Sequence, residues 1–424
     1  MGMMEAEEAM RLRIHRGAKE IGGNCIELEC NGKHLLLDLG LPLNCDPESV
    51  ELPDVPWLRS GPSDEFLGVV LSHPHQDHYG LASRIHPDTP FFLGEDARKI
   101  LEVASRFTPS GLAVKNATYL KNQQPLKIGP FRVTPYLVDH SAFDAYSLLV
   151  EAEGETLFYT GDFRGHGRKR WSFEKLLSDG PKDVDVLLME GTTVGPNSHE
   201  RVTITESELE TQIVTSLRDT RGLALACFSG QNIDRLVTFY RAAIRTNRTL
   251  VIDPYIASIL EVINRSSLPN ARSNNVKVYL PRRMKMKVVR VRSFDLVEPF
   301  RNERIYTKEL AANPERYVMA FRDSMLSDID SLNSFDGMKL MYSLWPGYLD
   351  QSRSKLRAWC EVNGIGLEVH HTSGHAPPED LKRLVEAIRP KRLVPIHTMH
   401  PEDFLRLSSV TEVYEEKSWL KASR

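Results

Sequence analysis

The six residues His73-Pro74-His75-Gln76-Asp77-His78 constrain this chain more than any other stretch. Three imidazoles and a carboxylate share one loop. They follow the apolar run Leu67-Gly68-Val69-Val70-Leu71, which reads as a buried strand. A strand ending in such a cluster delivers side chains to the mouth of a sheet, where open α/β sheets hold ligands. Imidazole nitrogen and carboxylate oxygen are donors that borderline divalent metals such as zinc accept. His73 and His75, two apart in an extended loop, can point one way. Asp77 and His78, being adjacent, can diverge toward a second ion. The loop uses three of the chain's 14 histidines, a concentration that a merely polar surface loop does not need.

The same ending recurs. The strand-like runs before His140, Asp162, Glu190 and His397 are Phe131-Arg132-Val133, Thr156-Leu157-Phe158-Tyr159-Thr160, Val184-Asp185-Val186-Leu187-Leu188-Met189 and Leu393-Val394-Pro395-Ile396. One turn histidine or aspartate means little. Core packing does not need a ligand-type residue after each strand, whereas a metal site at one edge of a sheet does. Asp38-Leu39-Gly40 ends another apolar run and is a candidate support for the metal loop, and Asn31-Gly32 before it is a hairpin signal.

With 424 residues the chain can bury a large core and is expected to form two lobes. A formal net charge of −3 excludes a globally basic nucleic-acid binder, so any basic surface must be local. Residues 1–10 are acidic and unpatterned, and read as a frayed terminus or short helix. There is no apolar run of membrane-spanning length and no signal-peptide core, and the Met1-Gly2 start lacks the Ser or Thr of a myristoylation motif. No membrane partner is expected. Five scattered cysteines without a CxxC pair suit reduced thiols and a cytoplasmic location.

Near residue 205 the text changes to alternating helices and apolar strands, a small α/β lobe of its own. Ser229 and Gly230 open a helix there, where free N–H groups suit a phosphate. Further on, Lys277, Arg282, Arg283, Lys285, Lys287, Arg290 and Arg292 crowd one stretch without an acid. Alternation through Met284, Met286 and Val288 would put several cations on one face, a track for a polyanion. Arg164, Arg168 and Lys169, just past Asp162, are candidates to grip phosphates. From about residue 366 the earlier style returns, again with histidines after strands.

The loop His73-x-His75-x-Asp77-His78, with His140, Asp162 and His397 downstream, resembles the metallo-β-lactamase superfamily. Glu190, the stretch Ser373-Gly374-His375-Ala376, and Pro395-Ile396-His397 resemble motifs A, B and C of its β-CASP branch. The opening Gly17-Ala18-Lys19-Glu20-Ile21-Gly22-Gly23-Asn24 is similar to that of the RNase J-like nucleases.

The resemblance implies an αββα metallo-β-lactamase sandwich with an inserted α/β β-CASP lobe. The sandwich would take residues 1–205 and 363–424, and the insertion 206–362. It implies that His73, His75 and His140 hold one metal, that Asp77, His78 and His397 hold the other, and that Asp162 bridges them. The cofactors would be two Zn2+, with Mn2+ as the alternative. Such a pair can generate hydroxide at neutral pH and clamp an in-line displacement at phosphorus. Asp77 would also orient the hydroxide. His375, its tautomer set by Glu190, would be the general acid. The expected activity is cleavage of single-stranded RNA, endo- or 5′-exonucleolytic, in a cleft between two lobes, by a monomer or homodimer. Three alternatives stay open: a DNA nuclease, a hydrolase of small esters, thioesters or lactones, and a catalytically dead nucleic-acid-binding subunit.

Overall fold

The computed structural model describes residues 9–43, 45–109, 111–196, 198, 202–349 and 355–422. Residues 1–8 of the acidic N-terminal stretch lie outside them. The chain divides into two units, one formed by 1–202 with 374–424 and the other by 203–373.

In the first unit, β1 (Arg11–Arg16), β2 (Cys25–Cys30), β3 (Lys33–Leu37), β4 (Phe66–Val70), β5 (Phe91–Gly94), β6 (Ala117–Leu120) and the late β20 (Leu420–Lys421) form one sheet, ordered β20-β1-β2-β3-β4-β5-β6. The hairpin between β2 and β3 turns on Asn31 and Gly32, at φ of 52° and 69°. Two successive left-handed residues give the turn whose twist suits a two-residue hairpin. The second sheet contains β7 (Leu126–Ile128), β8 (Phe131–Leu137), β9 (Tyr146–Ala152), β10 (Glu155–Tyr159), β11 (Val186–Glu190) and β19 (Arg392–Ile396), in the order β19-β11-β10-β9-β8-β7.

The two sheets pack face to face. Leu12, Ile26, Leu28, Leu35 and Val70 of the first meet Val133, Leu148, Leu157, Leu188 and Val394 of the second in one buried core. Alternate residues of the same strands serve the outer faces. Leu36, Val69 and Leu93 pack with Leu101 of the helix Glu95–Phe107. Phe158, Leu187 and Leu393 pack with Phe173, Leu381, Leu384 and Ile388 from two helices on the other side. Strands buried on both faces must be apolar throughout. That is why β10 and β11 read as continuous runs rather than as alternation. The result is an αββα sandwich.

Strand direction explains the repeated ligand endings. β10, β11 and β19 are parallel neighbours, so their carboxyl ends share one edge. β8 is antiparallel to β9, which is antiparallel to β10, so β8 also ends there. That edge therefore receives His140, Asp162, Glu190 and His397.

The second unit is built on seven strands, β12 (Ala224–Cys227), β13 (Thr249–Ile252), β14 (Val276–Tyr279), β15 (Arg304–Ile305), β16 (Tyr317–Phe321), β17 (Lys339–Tyr342) and β18 (Gly366–Val369). All pair in parallel, in the order β15-β14-β13-β16-β12-β17-β18. Parallel pairing demands crossover helices, which is the alternation seen in the sequence. β18 pairs with β17 here, so 366–369 does not belong with the sandwich as the expected boundary at 363 had it. Its histidine-bearing end made it look like the first unit's strands.

The basic stretch also differs from the expectation. It is a helix, Arg282–Val291, with only Val288 buried, so its cations follow a period of 3.6 rather than strand alternation. Arg282 and Arg283 are exposed on it. The sequence lacks the β-branched alternation a strand needs at Arg282-Arg283-Met284-Lys285, and Pro281 stands as the N-cap residue of the helix.

One buried ion pair anchors this unit. Arg235 is 1% exposed, and its Nη2 lies 3.1 Å from Glu206 Oε1, with further bonds to the Ser343 and Thr372 carbonyls. Glu206→Ala is expected to cost about 3–5 kcal/mol, because it strands a buried guanidinium. A urea unfolding curve checks this, and an unchanged midpoint contradicts it.

All five cysteines are free. No helix among the described residues is long and apolar enough to cross a membrane.

Candidate metal centre

The loop after β4 is held by the chain that leaves β3. Leu39 N–H donates to the His78 carbonyl, Leu41 N–H to Gln76, and Asn24 N–H to Asp77. The backbones approach so closely that a Cβ on Gly40 would lie 1.7 Å from the Asp77 carbonyl oxygen, so only glycine fits. His75 is the N-cap residue of the short helix Gln76–Tyr79, which carries Asp77 and His78. His397, directly after β19, sits at φ 51° in the left-handed region, and its N–H donates to the Gly17 carbonyl. A β-less conformation of this kind in a bulky residue is held by its surroundings, here to turn the imidazole back over the sheet edge.

The side chains gather into linked groups. Donor atoms of His73, His75 and His140 lie within 4.8 Å of one another, as do those of Asp77, His78, Asp162 and His397. A third set, Asp162, Glu190, His375 and His397, meets the same criterion. Asp162 is nearly central: its Oδ2 is 3.2 Å from His78 Nε2, 3.6 Å from His73 Nε2, 4.0 Å from His140 Nε2 and 3.6 Å from His375 Nδ1. His397 Nε2 lies 3.3 Å from Asp77 Oδ2.

Outer partners decide which nitrogen faces inward. Carboxylates and carbonyls only accept, so His78 Nδ1, 2.7 Å from Asp38 Oδ2, and His140 Nδ1, 2.6 Å from the Gly374 oxygen, must carry protons. His73 Nδ1 is 3.0 Å from Ser72 Oγ, and His397 Nδ1 is 2.7 Å from Thr192 Oγ1. These four rings therefore keep Nδ1 for their outer partners and leave Nε2 for the cluster. His75 differs, with Nδ1 inward, 3.1 Å from His140 Nε2.

The electrostatics suit cations. Burial first, then neighbouring imidazoles, pushes His73 and His140 well below the usual histidine range, and burial takes His75 down to about 4. All three are neutral donors at pH 7. Burial works to raise Asp162, but His397, His78 and His375 outweigh it and hold it ionised. Asp77 is likewise held low against burial, by His397 and His78. His78 is raised despite burial because Asp162 and Asp38 flank it. A proton shared between His78 Nε2 and Asp162 marks where positive charge is wanted. Two atoms are left over: His73 Nε2 and Asp162 Oδ1 are buried and have no hydrogen-bond partner. Buried orphans are costly, and both face the cluster. This donor set fits borderline divalent metals such as zinc.

Beside this cluster, Glu190 is fully buried and accepts from the Phe163, Thr192 and Ala376 N–H groups. Its Oε2 is 3.3 Å from His375 Nδ1. Burial lowers His375, but Glu190 and Asp162 more than compensate, taking it up to about 9.

The remaining sequence candidates separate. Arg164 is fully buried with its Nε 3.5 Å from Asp139 Oδ1, so it braces the Asp162 loop and is closed to phosphate, contrary to expectation. Arg168 and Lys169 are half-buried, Lys169 over the Phe143 ring. Ser229 and Gly230 lie in the second unit, ahead of the helix Ile233–Arg245, whose cap is Asn232 rather than either of them. Arg282 and Arg283 are in that unit too.

Sequence reasoning missed Ser72, Tyr159, Thr192 and the Gly374 carbonyl. The available signal was a polar group next to a ligand at a strand end, as in Ser72-His73.

Comparison with known proteins agrees with this geometry. Residues 52–222 match the Beta-lactamase superfamily domain, and 366–402 match the Zn-dependent metallo-hydrolase RNA specificity domain. Ribonuclease J of Helicobacter pylori is 23% identical over 412 residues, which cover 93% of this chain and 57% of that protein. Ribonuclease J of Mycobacterium tuberculosis is 26% identical over 436 residues, covering 92% and 68%. The chain thus spans little more than half of the Helicobacter relative. A protein of unknown function from Enterococcus faecalis V583, known from its crystal structure, superposes with a TM-score of 0.74 at 22% identity, covering 97% of this chain and 100% of that one. That likeness concerns the fold. Matched on both segments, this chain carries a β-lactamase superfamily domain and resembles the β-CASP, RNase J-like branch of that superfamily along more than nine-tenths of its length.

Proposed function

We propose that this protein is a metal-dependent ribonuclease that hydrolyses phosphodiesters of single-stranded RNA with two ions, Zn2+ or Mn2+. The observation that carries the reading is Asp162, buried between two donor sets with His375 and Glu190 beside them. The names of the ribonuclease J relatives and the RNA-specificity match support RNA as the substrate.

His73, His75 and His140 would hold one ion, Asp77, His78 and His397 the other, and Asp162 both. When bound, the ions supply a water-derived nucleophile at neutral pH and positive charge for the phosphate oxygens. Asp77, held ionised, accepts a hydrogen bond at Oδ2 and can orient the attacking group. His375 is open to solvent, with 21% of its side chain exposed. Its value near 9 keeps a proton on it at pH 7, so it can protonate the leaving oxygen. Glu190 fixes the ring through Nδ1. Arg168, Lys169, Ser229, Gly230, Arg282 and Arg283 are proposed to contact the flanking phosphates.

The test is metal analysis joined to digestion of 5′- and 3′-end-labelled RNA and DNA. Expected are close to two ions per chain and RNA cleavage that a chelator abolishes and metal restores. Preferred DNA cleavage redirects the substrate assignment. Intact nucleic acid alongside rapid hydrolysis of a thioester or lactone panel overturns it.

A further inference from the structure

Thr192 lies two residues past β11, and nothing in its sequence context assigns it a part. Its Oγ1 is 2.7 Å from Glu190 Oε2, 2.7 Å from His397 Nδ1 and 3.1 Å from His375 Nδ1. A hydroxyl has one proton and two lone pairs. The buried carboxylate can only accept, so the hydroxyl proton goes to Glu190. Both lone pairs then face imidazole nitrogens, and each of those nitrogens must supply a proton. Its N–H also donates to Glu190, at 3.2 Å, which fixes the rotamer from two sides.

We infer that Thr192 is a positioning residue that sets the tautomers of His397 and His375 together, relaying Glu190 to both. With Nδ1 protonated, His397 has its Nε2 lone pair directed at Asp77, 3.3 Å away at Oδ2, as a ligand needs. With Nδ1 turned to Thr192 and Glu190, His375 keeps Nε2 for substrate. One hydroxyl thereby couples the second metal position to the proton donor. Without it, His397 Nδ1 loses its acceptor, and the ring can carry its proton on Nε2 instead, where it blocks coordination.

This rests on the two-metal reading, and the experiment separates the two. Zinc is titrated against a chromogenic chelator into wild type, Thr192→Val and Thr192→Ser, with melting of the metal-free forms as the folding control. In Thr192→Val one of the two sites, the one His397 serves, is expected to loosen about 10–100-fold, the size of effect that partners of metal ligands carry. The other site should be unchanged, and Thr192→Ser, which keeps the hydroxyl, should restore wild-type affinity. Unaltered binding in the valine variant overturns the inference. So does an equal loss in the serine variant, which points to packing. A wild-type stoichiometry below two counts against the two-metal reading instead. In that event the spectrum of histidine-15N-labelled protein decides the matter: an Nδ1 proton on His397 supports Thr192, and an Nε2 proton overturns it.

Discussion

Asp162→Asn is expected to abolish RNA cleavage, with a loss on the order of 10^3-fold or more, comparable to removing a preorganised electrostatic element from an active site. The substitution keeps the shape of the side chain and removes its charge. Asp162 Oδ2 stands within 4.0 Å of His73, His78 and His140, and Oδ1 is 3.8 Å from His397 Nδ1. No other carboxylate reaches both donor sets among the described residues. An asparagine has one acceptor oxygen, so it cannot serve two ions, and its amide nitrogen would add two donors to a space already lined by imidazoles. Metal content should fall below two per chain along with activity. Circular dichroism should remain that of a folded αββα domain, since the sheets on either side pack without Asp162. Wild-type turnover with both ions retained would remove the bridging role.

The second large effect is expected at Asp38, a residue outside the cluster. It follows β3 at φ 58° and is fully buried. Its Oδ1 accepts from the Ser72 N–H at 2.7 Å. Its Oδ2 accepts from Ser72 Oγ and His78 Nδ1, each at 2.7 Å, and from the Tyr159 hydroxyl at 2.5 Å. Burial and the Asp38 charge both keep the Tyr159 phenol protonated, so it remains a donor. In Asp38→Asn the amide oxygen can satisfy the backbone N–H, but the amide NH2 then meets three donors. His78 can relieve its share only by moving its proton to Nε2, which faces Asp162 and the second donor set. Metal affinity should fall about 10–100-fold. The broken buried network should cost about 3–5 kcal/mol of stability. Zinc competition and urea unfolding read the two effects separately. Equal affinity and an equal midpoint in the variant would contradict this account.

Both predictions turn on residues of different legibility. Asp162 could be picked out because it repeats a pattern: an apolar strand, then a ligand-type side chain. His140, Glu190 and His397 repeat it, and the sheet explains why, since β8, β10, β11 and β19 all run toward the same edge. Asp38 was legible as a strand end and candidate support for the loop, but not its bonds to Ser72, His78 and Tyr159. Thr192 was not legible, because its importance lies in three distances to residues as far as 205 positions away. Arg164 misled for a related reason. A cation after a metal ligand looks available to phosphate, yet Asp139 takes it into the interior. In the inserted unit the basic run is visible in the sequence but its period is not, since cations separated by Met and Val satisfy either period over a few residues.

The sequence by itself determined the donor types, their attachment to strand ends and the presence of a second α/β unit, because apolar strand runs and polar punctuation are local properties. It also carried the family likeness, since the motifs are short and contiguous. Only the tertiary structure decided which imidazole nitrogen faces inward, which arginine is spent on structure, and to which sheet the strand at 366–369 belongs. Those outcomes depend on partners 40 to 234 positions apart in the chain: a carbonyl at Gly374 for His140, a hydroxyl at Thr192 for His397, and a carboxylate at Asp38 for His78. The loop at 73–78 supplies candidate donors, and the folded sheets around it fix which of their nitrogens are taken by outer partners.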